Sequence, residues 1–184
     1  MTSTATKPAS LPLNGYKADR QWSDTYLPAA RQIVGPLLLV PAPIERDVSE
    51  ATDLIVLRAR DMTIGVRIRR EGYNDIYPNQ FTIRAARDSG AKTELRKIIE
   101  GWGDWLFYGH ASGAQGIMPW MIIDLSMLRA VFMGKSDILH YPDNVVSGVK
   151  SNGDGTYFHW FDASKLPASC IVSKSPCRQE ALAL

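Results

Sequence analysis

The spacing of apolar residues along the chain changes period several times, and each change marks an element. Residues 1–18 are rich in Thr, Ser, Pro and Lys and read as a mobile leader. Leu27, Ala30, Ile33, Val34 and Leu37 then recur three or four apart, which predicts a helix through TYLPAARQIVGPLL. Ser23 or Asp24 would cap it, and Gly35–Pro36 would end or kink it. An acidic stretch follows, with Glu45, Asp47, Glu50 and Asp53 in a helical turn or loop, and Asp53 immediately precedes the β-branched run LIVLRA. TIGVRIRR alternates strictly, with Ile64, Val66 and Ile68 on one face and Arg67 and Arg69 on the other. A polar connection, EGYNDIYPNQ, leads to QFTIRAAR, whose Phe81 and Ile83 face inward while Thr82 and Arg84 face away. These three runs read as a meander.

Downstream, Thr93 would cap a helix through KTELRKIIEGWG with Leu95, Ile98 and Ile99 on its inner face, stopped by Gly101 and Gly103. DWLFYGHA is a strand with large residues on both faces, so it is expected to be covered on both sides. The glycine-rich ASGAQG, without the GK[ST] ending of a phosphate loop, reads as a long hairpin loop leading to the strand MPWMII. Asp124 to Ser126 would cap the helix SMLRAVFM; SNGDGTYFHWF signals a hairpin, and LPASCIVSKSP can supply an edge strand. The order predicts an α/β or α+β domain with a mixed central sheet, covering residues 19–184 as one unit and closing on a C-terminal hairpin.

Composition narrows the class. The chain has 184 residues and 20.4 kDa, with 45% hydrophobic and 22% charged residues, which suits one folded domain and excludes a disordered or collagenous chain. The longest apolar run, Ile33–Val40, is interrupted by Gly35 and Pro36 and falls far short of the roughly 20 residues that span a bilayer. The opening residues lack a basic-then-apolar signal pattern, so the expected location is cytoplasmic and no membrane partner is expected. Cys170 and Cys177 are too few for a disulfide framework or a four-cysteine zinc site. His110, His140 and His159 show no zinc-binding spacing; His110 reads as a strand-end histidine bonded to a carbonyl and His159 as a bystander.

Charge is the informative asymmetry. Residues 58–97 hold ten basic and five acidic side chains, while the flanking segments are slightly acidic. Most of the block is arginine: Arg58, Arg60, Arg67, Arg69, Arg70, Arg84, Arg87 and Arg96, with Lys92 and Lys97. Arginine's planar fork suits bidentate contacts to phosphate or carboxylate, so the block points either to an anionic partner or to a solvated face with local ion pairs. The aromatic residues Trp102, Trp105, Phe107, Tyr108, Trp120, Tyr157, Phe158, Trp160 and Phe161 read mostly as core; one left exposed beside the arginines could stack bases.

The order helix–strand–strand–strand–helix–strand, with Asp53 at a strand start, TIGVRIRR on the next strand and Lys92-Thr93-Glu94-Leu95 opening the second helix, resembles the core of the PD-(D/E)XK nuclease-like superfamily. The match spans roughly residues 22–110. The resemblance implies a nucleic-acid-acting protein, with Asp53, Glu94 and Glu50 as candidate Mg²⁺ (magnesium) ligands and Asp53, Arg67 and Glu94 as candidate catalytic residues. It also implies Arg67, Arg69, Arg84, Lys92, Arg96 and Lys97 as grips on a DNA or RNA backbone. The pattern departs from the superfamily at Gly65, where the second acid belongs, and at Arg67, where lysine belongs; on the third strand the triplet Thr82-Ile83-Arg84 again lacks a carboxylate. Arg67 keeps the charge but cannot release a proton. The chain thus resembles a degenerate member, and its tail looks similar to small bacteriophage proteins, which would place it in a host cytoplasm. The alternative is a non-catalytic protein-binding factor, a phage-type inhibitor or assembly protein. In that case Arg67, Arg69 and Arg84 pair internally with Glu45, Asp47, Glu50 and Asp53. A homodimer fits either reading.

Overall fold

Two helices open the described chain: α1 (Tyr16–Asp24) and α2 (Leu27–Val34), the second followed by a 3₁₀ turn at Gly35–Leu38. The computed structural model describes residues 16–41, 54–56, 62–133 and 147–176. Strands β1 (Leu39–Pro41) and β2 (Leu54–Val56) pair antiparallel as a separate two-stranded unit. Then come β3 (Ile64–Arg69), the single-turn helix α3 (Tyr73–Ile76), β4 (Gln80–Arg87), α4 (Glu94–Ile99), β5 (Trp105–Ser112) and β6 (Gly116–Asp124). Helix α5 (Leu125–Met133) and strands β7 (Ser147–Ser151), β8 (Thr156–Asp162) and β9 (Ile171–Lys174) complete them.

The fold is α+β with a mixed sheet. One sheet runs β3-β5-β6-β9, with β3 parallel to β5 and the remaining pairs antiparallel; a second, wholly antiparallel sheet runs β4-β8-β7. Burial divides the molecule into layers. Tyr26, Ala30 and Val34 of the α2 region pack on Ile68, Phe107, Ala111, Ile117 and Ile122 across one face of the four-stranded sheet. On its other face Leu106, Tyr108 and Ile123 meet Phe81, Ile83 and Phe161 of the three-stranded sheet, with Leu95 and Ile98 of α4 and Leu125 and Leu128 of α5. Strand β5 is therefore covered on both sides, as its two-faced apolar pattern predicts.

Several local signals operate as read. Asp124 Oδ1 accepts from the backbone N–H of Ser126 at 2.8 Å and of Met127 at 3.0 Å, capping α5. The Asp154–Gly155 turn, with Gly155 at φ +76°, joins β7 to β8, and β9 is the edge strand expected from the tail. ASGAQG, read as a long hairpin loop, is instead a tight connection, with only residues 113–115 between β5 and β6.

Four expectations change. The meander does not form: β2, β3 and β4 belong to three different sheets. The connection EGYNDIYPNQ is too long for a tight hairpin and folds into α3, entered through Gly72 at φ +83°, which carries the chain from one sheet to the other. Ser23 and Asp24 end α1 rather than cap α2, whose N-cap position is Tyr26. Thr93 stands at the N-cap of α4, yet its hydroxyl donates to Ala85 O at 2.9 Å, tying the helix to β4 instead of capping it. Finally, α1 begins at Tyr16, inside the segment read as a leader. Asp53, Glu50, Glu45, Asp47, Arg58, Arg60, His140 and Cys177 lie outside the described residues.

Candidate functional site

Strand β3 is one edge of its sheet, and all six of its residues line an open cleft of about 1520 Å³. The opposite wall comes from Arg84 and Arg87 of β4, Lys92 to Glu94 and Lys97 around the start of α4, and Asp154 and Phe158 from the β7–β8 hairpin. One end of β3 is held to the loop before β5, where Thr63 N and Oγ1 both donate to Asp104 Oδ2 at 2.8 and 3.0 Å. At the other end Arg70 pairs with Asp19 of α1 at 3.0 Å, and its guanidinium lies over the Trp22 ring. A strand of this length spans about 20 Å, which sets the length of the cleft.

The lining carries eight basic residues (Arg20, Arg67, Arg69, Arg70, Arg84, Arg87, Lys92, Lys97) against four acids (Asp19, Asp88, Glu94, Asp154). The arginine rib read from the sequence is split by its neighbours. Arg67 is largely enclosed, its side chain 16% exposed, and its Nη1 donates to Glu94 Oε2 at 2.5 Å. The same oxygen accepts the backbone N–H of Arg84 at 3.2 Å, so Glu94 fastens α4 to β3 and β4 together. Lys92 and Arg96 both pair with Glu100, whose carboxyl they hold below its usual range, Lys92 contributing most; Arg96 does not line the cleft. By contrast Arg69, Arg84, Arg87 and Lys97 line it with no salt bridge among the described residues. Among the described residues Glu94 pairs with Arg67, Asp19 with Arg70, and Glu100 with Lys92 and Arg96. The upstream cluster from Glu45 to Asp53, expected in that role, is outside the described residues.

Arg84 is the most exacting of these cations. Its guanidinium and that of Arg67 both lie over the Phe158 ring, at 5.6 and 5.0 Å from the centroid. Burial, then the charges of Arg67 and Arg87, pull its pKa below the ordinary arginine value, against weaker support from Glu94 and Asp154. Its Nε is buried and finds no hydrogen-bond partner among the described residues. A buried donor left unsatisfied costs about 1–3 kcal/mol, so this position is held at a cost to the fold.

A candidate divalent-metal set can be checked only in part, because Asp53 and Glu50 are outside the described residues. Glu94, the ligand that can be placed, is already engaged by Arg67 and the Arg84 N–H, and no cluster of three metal-binding side chains forms among the described residues. The described residues therefore do not fit a metal centre built on Glu94. Replacing Glu94 by Gln removes the countercharge of a largely enclosed guanidinium. It is expected to lower unfolding stability by about 1–2 kcal/mol, measured by denaturant titration.

Two residues missed by the sequence reading complete the wall. Arg87 faces the cleft because a bulge between Arg84 and Ala86 shifts the alternation of β4. Trp102, assigned to the core, is instead 68% exposed and lines the cleft. His110 also differs: it is buried beside Tyr108, its Nδ1 has no partner among the described residues, and burial followed by the charge of Arg69 pushes its pKa down to about 4. Cys170 is fully buried, and burial raises its thiol pKa, which removes it as a nucleophile.

No protein-family model, curated protein or solved structure matches this chain. Among the described residues no helix is long and apolar enough to cross a membrane.

Proposed function

We propose that the cleft binds the sugar–phosphate backbone of a nucleic acid and that the described residues serve binding rather than metal-assisted cleavage. The observation that carries this is the set of four cations, Arg69, Arg84, Arg87 and Lys97, that line one cleft with no salt bridge among the described residues. Phosphate contacts of this kind supply affinity without sequence preference. The resemblance to the PD-(D/E)XK superfamily rests on three successive strands forming one meander, and those strands lie in three different sheets, so the binding reading stands on the cleft alone.

The test is a fluorescence-anisotropy titration of labelled oligonucleotides at low salt, with Mg²⁺ and with a chelator, on the wild type and on Glu94→Gln. Equal binding under both conditions is expected, with Glu94→Gln binding at least as tightly, because the substitution adds one net positive charge to the cleft. A Glu94→Gln protein that stays folded but loses Mg²⁺-dependent cleavage would restore the nuclease reading. No binding at low salt would discard nucleic acid as the partner and favour a protein-binding factor.

A further inference from the structure

We propose that the cleft takes single-stranded nucleic acid, with one base stacked on Trp102; this rests on the backbone-binding reading and adds the class of strand. The exposure of Trp102 has a local cause. Helix α4 ends in a paired hydrogen-bond motif: Gly101 N donates to Ile98 O and Trp102 N to Lys97 O, each at 3.0 Å, with Gly101 at φ +94°. In that motif the residue after the glycine ordinarily folds back onto an apolar side chain in the last turn. Here the position it would meet is Lys97, so the indole finds no apolar partner at that position and is 68% exposed, beside a cation that lines the same cleft.

The ring is presented on a braced loop. Gly103 at φ +80° has no room for a side chain, since a Cβ there would come within 2.9 Å of Leu125 Cδ1. Arg129 Nη1 donates to Gly103 O at 3.3 Å, and the next residue, Asp104, is bound by Thr63. A large apolar ring carried on a braced backbone at the edge of a basic cleft has only its own two side-chain torsions to fix on binding, which favours a flat apolar ligand. A base in a single strand offers such a face; a base in a duplex is already stacked on its neighbours.

The experiment compares wild type, Trp102→Ala and Trp102→Phe by anisotropy against three probes: a labelled oligothymidylate, a duplex, and inorganic polyphosphate as competitor. Because Trp102 is exposed, both variants are expected to melt as the wild type does. Trp102→Ala is expected to weaken oligothymidylate binding roughly 5- to 150-fold with an unchanged salt slope, the range of one lost base stack. Trp102→Phe should retain most of the affinity, and duplex binding should be weaker and indifferent to either change. Salt-sensitive binding that Trp102→Ala leaves intact would overturn the stacking while the backbone reading stands. So would polyphosphate competing as well as an oligonucleotide of equal charge. Failure of every probe to bind at low salt would remove both.

Discussion

Raising salt from about 50 mM to about 200 mM is expected to weaken binding of a single strand about fifty-fold. The figure follows from counting. The cleft holds eight basic and four acidic residues, and independently four of its cations, Arg69, Arg84, Arg87 and Lys97, lack an ion pair among the described residues. Four phosphates neutralised on a single strand give a slope of about −2.8 in log K against log salt, and a fourfold rise in salt then costs about fifty-fold. Were the existing pairs Arg67–Glu94 and Arg70–Asp19 to open so that six cations engaged phosphate, the loss would be about 300-fold. The measured slope therefore reports whether Glu94 and Asp19 stay bound to their arginines in the complex.

Acidification is expected to destabilise the fold by up to roughly 3 kcal/mol through His110 alone. Burial is the main cause of its low pKa, the charge of Arg69 adds to it, and Asp75 opposes it weakly; the result is about 4 in the folded protein. An unfolded histidine titrates near 6.5, so between about pH 6.5 and about pH 4 the unfolded chain binds a proton that the native one refuses. Stability due to this site is thus intact above about pH 6.5, falls as pH drops through that window and levels off below it. Denaturant midpoints across the window, compared with His110→Gln, isolate the effect. The variant should lose this part of the pH dependence, and an equal slope in both proteins would show that His110 protonates freely in the native state.

Much of this structure is written in short-range signals. The alternation Ile64-Gly65-Val66-Arg67-Ile68-Arg69 gives β3 and its arginine face directly, and Asp124 and the Asp154–Gly155 turn locate a helix start and a hairpin. What sequence could not supply is long-range or breaks a local rule. Arg67 meets Glu94 across 27 positions, a pairing set by how α4 is laid over the two sheets. Arg87 joins Arg84 in the cleft although a spacing of three in a regular strand would put them on opposite faces; only the bulge reconciles them. Trp102 reads as core along with most of the aromatic residues, yet the signal for its exposure is in the sequence: a glycine before it and a lysine where its apolar partner belongs. The meander failed for a topological reason, since adjacent strands in sequence were divided between sheets by α3.

The most direct measurement is the salt slope of oligonucleotide binding in the double variant Arg84→Gln/Arg87→Gln beside the wild type. Removing two of the four cations that lack a salt bridge among the described residues should halve the slope, so that the same rise in salt costs about sevenfold instead of about fifty-fold, alongside weaker binding at low salt. A folded double variant whose affinity and slope match the wild type would show that phosphate is not held in this cleft.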